Sequence, residues 1–85
     1  MNREKILIEI VCAGIDKAYD CIVPRQITAK ELCENFLGIL EDHIGIRYGE
    51  RESLMLLSKR TGIVLHPDNT LDGAQIDSGD TLYII

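Results

Sequence analysis

"LHPDNTLDGAQIDSGDTLYII" (Leu65 to Ile85) is the stretch on which the fold turns. Its first two-thirds is dense in turn formers, interrupted by two apolar residues, Leu71 and Ile76. A polar connection with two such anchors is expected to lie across a core and plug it from above. Gly79-Asp80 then predicts a tight turn, because glycine reaches positive φ without a Cβ clash. "TLYII" alternates: Leu82 and Ile84 share one face of a strand, Tyr83 and Ile85 the other.

The rest of the chain supplies partners for that strand. "KILIEIV" (Lys5 to Val11) sets Ile6, Ile8 and Ile10 on one face, towards a core, and Leu7, Glu9 and Val11 on the other. "CAGID" offers Gly14 and Asp16 for a turn, and "KAYDCIV" alternates again, with Tyr19, Cys21 and Val23 opposite Ala18, Asp20 and Ile22. Pro24 ends this hairpin, since proline cannot donate to a sheet ladder. Thr28 and Glu31 form a capping box that opens a helix. Its inner face is read as Leu32, Phe36, Ile39/Leu40 and His43, with Gly45 as a left-handed stop. Gly38 inside it costs about 1 kcal/mol relative to alanine and is expected to permit close backbone packing. "GIRYGERE" is a polar link, "SLMLLSK" a third strand apolar on both faces, and "RTGIVL" a turn at Thr61-Gly62 leading to a short fourth strand, Ile63 to Leu65. The order is strand, strand, helix, strand, short strand, strand, in one domain over residues 1–85. That is an α+β roll: a mixed sheet of four or five strands with one helix packed on one face.

These residues resemble the ubiquitin-like β-grasp fold over nearly the whole chain. The resemblance rests on "VPRQITAKEL" entering the helix and on Leu65, Pro67, Asp68, Thr70, Leu71, Ile76, Gly79, Asp80, Leu82 and Ile84 in the closing stretch. Within that fold the chain is similar to the bacterial YukD/EsaB group, stand-alone ubiquitin-like proteins encoded with WXG100 (type VII, Esx-type) secretion systems. The resemblance implies a cytosolic accessory or regulator of such a system, whose partner is a cytosolic domain of its membrane ATPase or another core component.

Composition narrows the classes further. Of 85 residues, 46% are hydrophobic and 27% charged, an ordinary globular balance. The net charge is −5, and nine Lys and Arg are scattered without a basic stripe, so nucleic-acid binding is not expected. "ILIEIV" is too short for a signal-peptide core, and no apolar run reaches the roughly 20 residues of a membrane helix. A cytoplasmic protein without direct membrane insertion is expected. If the hairpin turn centres on Ala13 to Asp16, Cys21 lies opposite a residue near Ile8, about 13 Å from Cys12 along the neighbouring strand. That exceeds the roughly 7 Å limit between the Cα atoms of a disulfide, so Cys12, Cys21 and Cys33 read as reduced and mostly buried, acting as small hydrophobes.

Catalysis finds little support. His43 and His66 are 23 residues apart with no Cys or Asp at metal-ligand spacing, so no metal and no cofactor is expected. Cys33 has no base partner visible in the sequence, and "GIRYGE" lacks the glycines and the Lys-Ser/Thr of a phosphate loop. Ubiquitin and the sulfur carriers of its fold act through a Gly-Gly tail, whereas this sequence is expected to finish inside its last strand at Ile85. The reading is therefore a non-enzyme; the alternative is a ubiquitin-like carrier or modifier needing an activating enzyme.

What remains is the sheet face turned away from the helix. Leu7, Val11, Tyr83 and Ile85 are expected to adjoin on it, since the β-grasp arrangement sets the first and last strands side by side. The third strand adds one pair, Leu54/Leu56 or Met55/Leu57, its register left open by apolar residues on both faces. With Met55 and Leu57 outward, the candidate partner-binding residues are Leu7, Val11, Met55, Leu57, Tyr83 and Ile85. A contiguous apolar patch marks a partner site, and the resemblance implies that ubiquitin-like domains are bound through this face. A homo-oligomer burying the same face against itself is the further alternative.

Overall fold

A computed structural model describes residues 4–12, 14, 16–45 and 54–85, with the side chains of residues 43 and 44 excepted. Residues 13 and 15 of the hairpin turn, residues 46–53 of the polar link and the His43 side chain lie outside the described residues. The elements run β1 (Lys5–Cys12), β2 (Lys17–Pro24), α1 (Ala29–Ile44), β3 (Leu56–Ser58) and β4 (Thr81–Ile84). They form one sheet in the order β2-β1-β4-β3. The β1–β2 and β3–β4 pairs are antiparallel, and β1–β4 is parallel. One helix on this mixed sheet is the ubiquitin-like β-grasp arrangement.

The alternation in β1 does what its period dictates. Ile6, Ile8, Ile10 and Cys12 are buried, as are Leu82 and Ile84 in β4 and Leu56 and Ser58 in β3. Against them α1 lays Ala29, Leu32, Cys33, Phe36, Leu37 and Leu40. Ile39, one position from Leu40, points to solvent. Tyr19 of β2 meets Phe36 edge to face, ring centroids 5.6 Å apart, and closes the open side of the core.

The first turn of α1 shows why the closing stretch matters. Thr28 Oγ1 accepts from the Glu31 N–H at 3.1 Å, and Glu31 Oε1 accepts from the Thr28 N–H at 3.2 Å, completing the capping box. The two orphan donors ahead of Glu31 are satisfied from outside the helix. Ala29 N–H donates to Asn69 C=O at 2.8 Å and Lys30 N–H to Pro67 C=O at 3.0 Å. The connection is thereby laced to the helix start, and Leu71 and Ile76 descend fully buried into the core beneath it.

Three features depart from the expected order. The third strand is short, because its first half extends only as a reciprocal bonded pair, Met55 with Ile85 (3.2 and 3.0 Å). The expected strand Ile63 to Leu65 reduces to a single bridge, Leu57 with Val64, framed by Ser58 N–H to Ile63 C=O and Leu65 N–H to Leu56 C=O. Pro67, two residues on, has no N–H to extend the ladder, and its carbonyl is engaged by Lys30. The sheet is thus four-stranded. Gly38 is not a close-approach site either: a Cβ built there meets nothing within 4 Å. Its cost is therefore purely conformational, and Gly38→Ala should stabilise the fold by about 1 kcal/mol. Urea unfolding monitored by circular dichroism checks this; a loss of stability would contradict the open space.

Candidate functional site

The side of the sheet away from α1 is built from the alternate residues. Register sets its rows. Val11 pairs with Ala18 on one side and Tyr83 on the other, Tyr83 pairs with Leu57, and Leu57 bridges to Val64. Val64, Leu57, Tyr83, Val11 and Ala18 therefore form one row across the sheet. Met55 and Ile85 form a second pair beside it, both nearly half exposed. Five of the six expected residues come together this way: Val11, Met55, Leu57, Tyr83 and Ile85.

Leu7 stands apart. The four residues of β4 pair only with Glu9 to Cys12, so Leu7 lies beyond the start of β4. Its cross-strand neighbour is Ile22, 72% exposed and the barest large apolar side chain of the sheet. Between this pair and the main row runs a polar one. Glu9 is paired with Asp20 on one side and Thr81 on the other, and Lys59 donates its N–H to Thr81 C=O. Thr81 Oγ1 donates to Glu9 Oε1 at 3.1 Å. Ile22 and Val64 were not among the residues assigned to this face from the sequence. The alternation of "KAYDCIV" did set Ile22 opposite Cys21; what was lacking was its partner across the strand.

The start of β4, and with it Tyr83, is positioned by the turn at Asp77 to Asp80. Gly79 takes φ +93°, and its N–H donates to Leu7 C=O at 2.8 Å. Asp80 Oδ2 accepts from the Asp77 N–H at 2.9 Å, and Asp80 C=O accepts from the Glu9 N–H at 3.0 Å. Arg60 grips the Asp80 carboxylate through both oxygens, Nε to Oδ1 at 3.1 Å and Nη2 to Oδ2 at 3.2 Å. Arg25 reaches Asp77 Oδ1 at 3.1 Å. The Arg60 bond holds the Asp80 carboxyl below its ordinary range, and the Ser78 N–H, with Arg25, does the same for Asp77.

Reactive side chains assemble nothing comparable. The Cys33 thiol is pushed up to about 11, chiefly by burial, and burial likewise raises Cys12 and Cys21. Thiolates are disfavoured at all three. The register sets Cys21 across from Ile8, four positions from Cys12. A groove of about 380 Å³ between the start of α1 and β3 is lined by Cys33, Lys30, Glu34 and Leu54 among others, and the neighbouring Glu34 charge raises the thiol further. His66 is exposed, its Nδ1 accepting from the Asp68 N–H at 3.1 Å. Among the described residues no group of three His, Cys, Asp or Glu could hold a metal ion, and no helix is long and apolar enough to cross a membrane.

Comparison with known proteins agrees with this geometry. The family model described as WXG100 protein secretion system (Wss), protein YukD, matches residues 7–84. Among curated proteins none matches. Among solved structures, the ubiquitin of Caldiarchaeum subterraneum superposes with a TM-score of 0.74 at 20% identity, over 95% of this chain and 91% of that one. The EccD5 ubiquitin-like domain of Mycobacterium xenopi does so with 0.73 at 17%, over 95% and 92%. A de novo design based on ubiquitin gives 0.72 at 24%, over 99% and 90%. At these identities the structural likeness shows the fold alone.

Acid should loosen the turn that places β4. A carboxylate whose folded pKa is depressed adds stability above its ordinary value near 4, and that stability is lost as pH falls through the folded value. Asp80→Asn is expected to lower the melting temperature at pH 7 and to flatten the fall in stability below about pH 4. Thermal melts from pH 7 to pH 2 test this; parallel curves for the two proteins would contradict it.

Proposed function

We infer that this chain, which belongs to the YukD family of the WXG100 protein secretion system, works as a non-catalytic interaction module of that system. In this reading it acts in the cytosol as an accessory or regulatory component, and binds a protein partner through the outward sheet face. The partner is a cytosolic domain of a membrane-bound secretion component.

The observation that carries the reading is the row Leu57–Tyr83–Val11 with Met55 and Ile85 beside it. These side chains add nothing to the core, which lies on the other face of the same strands. An apolar patch gathered by register from three strands, with a tyrosine at its centre, has the make-up of a docking anchor. The raised thiols of Cys12, Cys21 and Cys33, which disfavour thiolates, support binding over chemistry.

Tyr83→Arg is expected to reduce capture of the partner by about tenfold or more, the loss typical of a central anchor. Ile39→Arg, on the solvent side of α1, is the matched control and should leave capture intact. The measurement is a pull-down of the cytosolic domains of the secretion components on immobilised protein, with folding verified by circular dichroism. Equal capture by both variants would remove this face from consideration.

A further inference from the structure

We propose that the outward face receives an amphipathic helix lying along β1, whose contact stripe reads apolar, basic, apolar. The basic residue sits on Glu9 and Asp20, between one anchor on Leu7 and Ile22 and another on Val11 and Tyr83. The proposal rests on the reading above and names the chemistry of the partner for the same face.

The acidic pair is the point of departure. Glu9 and Asp20 are directly opposed across β1 and β2, on the solvent side. Like charges in that position weaken an antiparallel pair. The core on the other face takes nothing from them, and among the described residues no cation pairs with either carboxylate. Glu9 is held by a neutral group, the Thr81 hydroxyl. Among the described residues, the cations of this face stand at its borders. Lys59 lies beyond Thr81, two strands from Glu9 and so about 10 Å away; Lys5 lies beyond Leu7, some 13 Å along the strand. An uncompensated acidic site flanked by the exposed Leu7 and Ile22 on one side and the half-buried Val11 and Tyr83 on the other is complementary to a cation carried between two apolar side chains.

Spacing selects the form of the partner. Same-face residues of a strand recur every 6.7 Å or so, which puts Leu7, Glu9 and Val11 over about 13 Å. Positions i, i+4 and i+8 of a helix rise about 12 Å and share a stripe. An extended peptide could match the interval, but lying across a sheet face it would leave its backbone N–H and C=O groups without partners there. A second copy of this chain would set carboxylates against carboxylates.

The experiment uses the full chain, labelled with nitrogen-15, and three stapled helical peptides identical except at the middle position. Each has leucine at i and i+8, with arginine, glutamine or glutamate at i+4. The arginine peptide is expected to bind about tenfold tighter than the glutamine one. Its amide shifts should centre on Leu7, Glu9, Val11, Asp20 and Tyr83. In Asp20→Asn, and in Glu9→Gln combined with Asp20→Asn, the preference should shrink to within about threefold. Equal affinities for arginine and glutamine on the wild type overturn the proposal, as do shifts confined to another face. Concentration-dependent dimerisation through this face, read by light scattering, overturns it in favour of a second copy. In each of those cases the broader reading survives if Tyr83→Arg still reduces capture of the secretion components by about tenfold or more, and falls if it does not.

Discussion

The parallel pairing of β1 with β4 is the contact on which everything else in this molecule depends. Parallel neighbours cannot be joined by a tight turn, so the chain must leave the sheet, build α1 and β3, and come back. Once Ile10 lies beside Leu82 and Cys12 beside Ile84, the inner side chains of both strands fall beneath the helix together. The same register puts Val11 beside Tyr83 on the outer side. Core and candidate docking surface are thus two consequences of one alignment. A shift of one residue would exchange them.

That alignment is secured from two directions. At the lower end of β4, the turn at Asp77 to Asp80 bonds to β1 through Gly79 and Asp80 and is clamped by Arg60 and Arg25. Higher up, the long connection supplies Asn69 and Pro67 carbonyls to the helix start while sinking Leu71 and Ile76 into the core. The connection therefore takes the place of a polar loop and acts as a third wall of the domain. With one helix and four strands among the described residues, the fold needs that wall to bury its isoleucines.

Local signals were easily read from the chain, and long-range ones were not. The capping box at Thr28 and Glu31, the left-handed Gly45, the alternating hairpin and the Gly79-Asp80 turn depend on neighbours a few residues away, and each is where pattern put it. The register of β3 is a tertiary matter. Leu54, Met55, Leu56 and Leu57 are all apolar, and only pairing to β4 turns Leu56 inward and Met55 and Leu57 outward. The separation of Leu7 from the Tyr83 row has the same origin, because β4 starts level with Glu9. Arg60 and Asp80, 20 residues apart, gave no sign of meeting. The fold class and most of the outward face could be read from the alternation. The polar row that divides that face required the strand order.

A face divided in this way says something about recognition that a continuous apolar patch would not. Apolar contacts on both sides would supply the desolvated anchors, and the acids between them would reject partners carrying negative charge. Family membership links the chain to the WXG100 protein secretion system. All of this presupposes the pairing of β1 with β4, which nuclear Overhauser contacts of the Tyr83 ring measure directly. The ring protons should contact the methyl groups of both Val11 and Leu57, and those of Leu7 should contact Ile22 instead. Contacts from the Tyr83 ring to Leu7, or to the buried Leu37 and Leu40, would show a different register and undo the account.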